Sequence, residues 1–263
     1  MDRIKCPNFA LIRSEISFLL CQQSKSMLSK NQFKLFKSLK SKKGRVEHGS
    51  FLVEGMKSVQ EALKANLEIE CVLHVASVAP PQASRVELIE EADMNVLSSL
   101  STPPGLMAVI RFPHWYQSAQ FPSDLANAEF LLILDGIRDP GNLGTIIRTA
   151  DWFGHTRIAL SKDCVDCLNP KVVQASMGSV FRIECHYLNI EDLPQERLVA
   201  LDLNGDNLYR ETSLNGLYII GSESHGVRHH CEKAVTIPGK GKAESLNAAV
   251  SASILLSQQF SLA

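Results

Sequence analysis

The chain has 263 residues, enough for one large domain or two modest ones, each with its own core. Its 45% hydrophobic and 21% charged residues exclude a disordered or fibrous protein, and a formal net charge of −1 gives no bulk electrostatic argument for a nucleic-acid partner. The seven cysteines are an odd number and suggest no disulfide framework, so a reducing, cytoplasmic setting is expected. No apolar stretch approaches the length of a membrane span, and no membrane partner is expected.

Met27 stands just before the first well-patterned helix, so residues 1–26 read as a dispensable extension or an upstream start. An organelle-targeting segment is the other open reading; residues 16–21 are too short for a signal-peptide core. From residue 28 to about 43, Leu28, Phe33, Leu35, Phe36 and Leu39 make the stripe of one amphipathic helix. The same stretch begins a cationic run, Lys30, Lys34, Lys37, Lys40, Lys42, Lys43 and Arg45, with no acid among them. The run reads equally as a solubilising face or as a phosphate-binding one, in which Lys34, Lys37 and Lys40 are the candidate contacts.

Short apolar runs then alternate with helical patterns. Residues 50–53 and 69–75 read as strands, 57–65 as a helix and 106–112 as a closing strand, which makes 27–112 a compact α/β domain. Residues 113–128, with two prolines, mixed polar residues and no clear period, read as a linker. A second alternation starts with the apolar run 130–134, a strand buried on both faces, followed by a helix over 143–153 and a strand over 157–160. Asn169-Pro170 opens a helix as cap and first turn. Residues 198–203, 217–221 and 235–237 are three more strands. Ser245 is placed as the cap of a last helix whose inner face is Leu246, Val250, Ile254 and Ser257. The second half is therefore a mainly parallel sheet covered by helices.

Three segments lie just beyond strand ends, where such sheets bind ligands. They are Asp135-Gly136-Ile137-Arg138-Asp139-Pro140-Gly141-Asn142-Leu143-Gly144 with Arg148 on the helix that follows, Gly221-Ser222-Glu223-Ser224-His225-Gly226, and Ile237-Pro238 with Glu244-Ser245-Leu246-Asn247. None fits a dinucleotide fingerprint or a P-loop: Glu244 stands where the third glycine of the first is needed. Cys164-x-x-Cys167 with Cys185-His186 lacks a matching second pair, so no metal site is expected.

In order and spacing the three segments resemble the motifs of the SpoU family, within the SPOUT superfamily of RNA methyltransferases. Asn142-x-Gly144 with Arg148 matches the first motif, Gly221-Ser222-Glu223 with Gly226 the second, and Ile237-Pro238 with Ser245-Leu246-Asn247 the third. The resemblance covers residues 129–263, and the first half is similar to the small RNA-binding domain that many members carry. It implies a C-terminal α/β domain with a mainly parallel sheet tied in a trefoil knot, a smaller N-terminal α/β RNA-binding domain, and S-adenosylmethionine as cofactor. It also implies a homodimer whose two subunits complete each site. Leu201, Gly221, Glu223, Ile237, Ser245 and Leu246 would hold the cofactor, and Arg148, Asn142, Glu223 and Asn247 would act on the substrate.

Methyl transfer from a sulfonium leaves a neutral group, so no acid is needed; the ribose hydroxyl has to lose its proton instead. A guanidinium is a poor general base at neutral pH, so Arg148 reads as a fork that holds phosphate and the attacking oxygen, with deprotonation by the arginine helped by an RNA phosphate as the open alternative. Its bland alternative is an ion pair with Asp151 on the same helix. Asn142 either caps its helix or orients Arg148 and the ribose. Glu223 accepts hydrogen bonds from RNA or Arg148, or partners a helix N-terminus. His225 stands where the family has a smaller residue; an RNA contact and a plain exposed loop position are both open. The expected function is 2′-O-methylation of structured RNA, ribosomal RNA before transfer RNA. A catalytically silent RNA-binding protein and a base methyltransferase are the competing readings.

Overall fold

The structure is a computed structural model that describes residues 28–116 and 122–263. The expectations for residues 1–26 and for the middle of the linker lie outside the described residues. Two sheets organise the chain. The first is built from β1 (Ser50–Glu54), β2 (Ile69–His74), β3 (Val86–Leu88) and β4 (Leu106–Arg111) in the order β1-β4-β2-β3. Central β4 runs antiparallel to both neighbours, and β2 pairs with β3 in parallel. Around it lie α1 (Lys30–Ser38), α2 (Lys42–His48), α3 (Met56–Lys64) and α4 (Glu91–Leu97).

The single helix expected over 28–43 is two helices. Ser41 interrupts it by accepting from the Gly44 N–H at 3.0 Å and so capping α2. The chain folds back so closely there that a Cβ on Gly44 would lie 2.1 Å from the Ser38 carbonyl oxygen. Strand β3 and helix α4 carry too short a pattern to have been assigned from periodicity.

The second sheet holds β5 (Phe130–Asp135), β6 (Arg157–Ser161), β7 (Glu184–Leu188), β8 (Leu198–Asn207), β9 (Gly216–Gly221) and β10 (Lys233–Thr236), all paired in parallel in the order β10-β8-β9-β5-β6-β7. Its helices are α5 (Ser123–Ala126), α6 (Pro140–Trp152), α7 (Pro170–Ala175) and α8 (Ala248–Leu262). Helix α6 starts three residues before the expected position, because Asp139 caps it and Pro140 occupies its first turn. Asn169 caps α7 as expected.

The last helix corrects the sequence reading twice. Its cap is Asn247, which accepts from the Ala249 and Val250 N–H groups, and Ser245 lies outside. Its buried face is Ala248, Ala249, Ala252, Leu255 and Leu256, whereas Leu246 and Val250 are exposed.

Trp115 is buried, and the Tyr116 hydroxyl donates to Asp166 Oδ1 at 2.7 Å. One apolar core runs from Phe51 and Val53 of β1 through Phe181 and Val172 to Ile146 of α6, so the two sheets are packed together. The Phe51 and Phe181 ring centroids lie 6.3 Å apart.

Candidate active site

The sheet's C-terminal edge gathers the first, second and third sequence segments. Asp139 Oδ1 accepts from the Asn142 N–H at 2.7 Å, which fixes the first turn of α6 and leaves the Asn142 amide free to turn outward. That amide donates to Glu223 Oε1 at 3.0 Å. The Asn247 amide donates to the same oxygen and to Asn142 Oδ1, the latter at 3.0 Å. The Ala248 N–H at the start of α8 points at Glu223 Oε1 from 3.4 Å. The helix N-terminus reading of Glu223 holds, since an anion is favoured there, and its other partners are the two amides, with no bond from Arg148 of the same chain. Three residues from three segments, spread over 105 positions, meet at one carboxylate oxygen.

A second device pins the loop that carries Glu223. Asp135, fully buried at the end of β5, accepts from the Arg228 backbone N–H at 3.0 Å and from its guanidinium. The other side of that guanidinium donates to both oxygens of Asp163, at 2.8 and 2.9 Å. Hydrogen bonds from Arg228 and from the Ser161 hydroxyl hold the Asp163 carboxyl well below the usual carboxylate range. The turn itself closes with the Gly226 N–H donating to the Ser222 carbonyl at 2.8 Å. A Cβ on Gly221 would lie 1.9 Å from the Gly226 carbonyl, so only glycine fits where the loop crosses back.

Beside this cluster lies a groove of about 810 Å³ lined by Leu201, Gly221, Glu223, Ile237, Ser245 and Leu246 among others. All six residues expected to hold a cofactor line it. It exists because β8 and β10 slip register between Ala234 and Val235: Ala234 pairs with Ala200 and Val235 with Asp206. Of the skipped stretch, Leu201, Asp202 and Leu203 form one wall. The floor is apolar, with Leu201, Ile220 and Ile237, and its size and mixed lining suit a nucleoside with a short charged tail.

Comparison with known proteins gives the same answer from outside. The model of the SpoU rRNA methylase family matches residues 129–257, and that of the MRM3-like substrate binding domain matches residues 30–108. The 23S rRNA (guanosine(2553)-2′-O)-methyltransferase RlmP of Bacillus subtilis is 30% identical over 249 residues, 87% of this chain and 96% of its own length. The chain belongs to the SpoU rRNA methylase family. It is an S-adenosylmethionine-dependent RNA methyltransferase. Mitochondrial rRNA methyltransferase 3 of Xenopus laevis is 35% identical over 152 residues, 55% of this chain, which spans 36% of that longer protein. An AdoMet-bound rRNA methyltransferase from Sinorhizobium meliloti superposes with a TM-score of 0.72 at 27% identity, covering 89% of this chain and 96% of the other.

Within this SpoU member, Arg148 stands apart. It is exposed on α6, six residues beyond Asn142, hence about 120° round the helix and roughly 9 Å along it. It lines neither the cofactor groove nor the hollow on the other side of Glu223. The suggested ion pair with Asp151 is not formed: that carboxylate accepts from Arg182 at 2.7 Å. Of the cationic run, Lys34 and Lys37 are exposed, but Lys40 Nζ donates to the Ser98 and Val96 carbonyls, at 2.6 and 3.1 Å, and holds the end of α4. His225 lines the hollow beside Glu223, its Nδ1 2.7 Å from the Ser224 hydroxyl. Cys164 and Cys185 are buried thiols whose ionisation burial pushes up. Sequence reasoning missed Asp135, Asp139 and Arg228. An aspartate ending an otherwise apolar buried strand was the available signal for the first.

Proposed function

We propose that this protein transfers the methyl group of S-adenosylmethionine to a ribose 2′-hydroxyl of ribosomal RNA. The observation that carries the reading is the meeting of Asn142, Glu223 and Asn247 at the rim shared by the cofactor groove and an open polar hollow. When bound, S-adenosylmethionine supplies an electrophilic methyl on a sulfonium that departs as a neutral thioether. Glu223, common to both spaces, fixes the two amides, which in turn present hydrogen-bond groups to the ribose edge. Arg148 supplies the fork that steadies the attacking oxygen and an RNA phosphate.

Because Arg148 lies away from its own Glu223, we place it at the site of a second subunit. Support comes from the face that α6 and α8 expose. Trp152 is 83% and Phe260 62% accessible, and Val250 and Ile254 line a groove whose edge is formed by Asn142 and Asn247. A trefoil knot in the C-terminal domain belongs to the same proposal. Among the described residues no helix is long and apolar enough to cross a membrane, and the five described cysteines are all free thiols, which suits a reducing setting such as the cytoplasm.

The test is incubation with methyl-labelled S-adenosylmethionine and unmodified ribosomal or transfer RNA. Label in alkali-resistant dinucleotides of ribosomal RNA is the expected result. Label released with a free base would overturn ribose chemistry, and label confined to transfer RNA would move the substrate.

A further inference from the structure

Between the two sheets lies a cleft of about 620 Å³ that the cofactor site does not use. Its cations come from both halves of the molecule: Lys40 from the N-terminal half, Arg138 and Lys171 from the catalytic half. Among the described residues no carboxylate lines it. Ser98, Ser99 and Ser101 stand on the Lys40 side and face Arg138 and Lys171, with the Ser98 hydroxyl and the Ser99 N–H donating to Glu54 so that the loop is held in place. The Lys40 ammonium has two of its three donors fixed by carbonyls and one left over, so its charge is held in position. Arg138 also lines the hollow that contains Asn142 and Glu223. Its side chain is 74% accessible, with Asp163 3.5 Å away, and Asp163 already accepts from Arg228. Cleft and hollow are therefore continuous across one arginine.

We infer that this cleft holds the phosphodiester backbone of a single-stranded RNA segment next to the methylated nucleotide. The inference rests on the reading of the protein as an RNA methyltransferase and names the part of the substrate that each half grips. A groove with cations and hydroxyls and no acid matches phosphate oxygens and ribose, not a base edge or an acidic-free apolar peptide. A ribose presented for attack has to be free of its helix, so the segment beside it is single-stranded. The arrangement also gives the N-terminal half a task that its exposed helix α1 alone does not explain. It closes one wall of the channel that leads to Glu223.

The test uses the full chain with an RNA that the wild type methylates. Arg138→Gln combined with Lys171→Gln is expected to raise KM for RNA at least tenfold. The slope of log affinity against log salt should become shallower by about 0.7 for each lost contact. Affinity for S-adenosylmethionine should stay within about twofold, because neither residue lines the cofactor groove. A photo-crosslinking residue in place of Ser101 should label nucleotides adjoining the methylated one. If KM and salt slope are unchanged, or the cross-links fall only on distant parts of the RNA, the cleft is not the path. A wild-type protein that methylates no RNA would instead remove the functional reading itself.

Discussion

Glu223 is the residue on which the site turns, because one of its oxygens receives three donors from two other segments. Hydrogen bonds to a charged acceptor contribute roughly 1.5–3 kcal/mol each, about twice a neutral pair. Glu223→Gln keeps the shape and removes the charge from the group on which three donors converge. It is expected to lower kcat by about tenfold to a hundredfold, with the S-adenosylmethionine dissociation constant changed by less than about fivefold, measured by single-turnover methylation and calorimetry. A kcat within twofold of wild type would remove Glu223 from the reaction. His155 gives a prediction about stability. Its ring packs 5.2 Å from that of Phe130, its Nε2 is buried without a partner, and burial lowers its pKa below 6.5. The folded form thus resists a proton that the unfolded chain accepts. Stability is complete above about pH 6.5 and declines as pH falls towards the depressed value. Between about pH 7.5 and 5.5 the urea midpoint of the wild type should drop further than that of His155→Gln. Parallel drops in the two proteins would show that this ring does not couple to folding.

Helices α6 and α7 cross at Gly144, one of the residues by which the family resemblance was read. A Cβ there would lie 2.5 Å from that of Ala175 and 2.9 Å from the Val172 carbonyl oxygen, so the glycine is required for packing. Gly144→Ala has to push α6 outward, and α6 carries Asn142 two residues earlier. Overpacking of this kind costs about 1–3 kcal/mol, read as a lowered urea midpoint, and methylation should fall with it as Asn142 leaves Glu223. A stable, fully active Gly144→Ala protein would show that the crossing is slack. At this scale the sequence was legible where one rule acts alone. The continuous apolar runs at 130–134 and 217–221 became central strands β5 and β9, and Asn169-Pro170 opened α7. It misled where two signals compete. Ser245 and Asn247 are both good caps, and what selects Asn247 is Glu223 beneath the first turn of α8, a contact 24 residues away in sequence. The stripe Val250 and Ile254 has helical spacing and reads as core, yet it lines an open groove, because periodicity identifies a shared face without saying what covers it. The pairing of Asp135 with Arg228 spans 93 positions and has no local signature at all.

The two halves behave as one body because of contacts that no pattern in either half announces. Arg45 of α2 is buried and donates through Nε to Asp166 Oδ2 at 3.0 Å, and through Nη1 to the Leu39 and Lys40 carbonyls at 3.1 and 3.2 Å. Asp166 in turn accepts from Tyr116 and from the Leu168 N–H at 3.1 Å. The ionisation of Tyr116 is pushed far above its ordinary range by burial and by that carboxylate, so its hydroxyl stays a donor at any working pH. One carboxylate thus ties α2, the start of the connecting segment and the catalytic half together, next to the cleft wall formed by Lys40. Nearer the surface, Arg182 bridges Asp151 of α6 and Glu61 of α3 at 2.7 and 2.9 Å, a pair of exposed bonds that contributes far less. Removing one member of the buried pair leaves the other charge without compensation, which costs about 3–5 kcal/mol. Asp166→Ala is therefore expected to split a single calorimetric unfolding transition into two, the N-terminal half melting first, and to raise KM for RNA more than it lowers kcat. Replacing both partners, as in Arg45→Met with Asp166→Leu, removes both buried charges and should recover most of the lost stability. If Asp166→Ala melts in one transition at nearly the wild-type temperature, the shared apolar core around Phe51 and Phe181 joins the halves without help from the ion pair. If the double variant is as unstable as the single one, the loss lies in the hydrogen bonds to Tyr116 and Leu168, and not in an uncompensated charge.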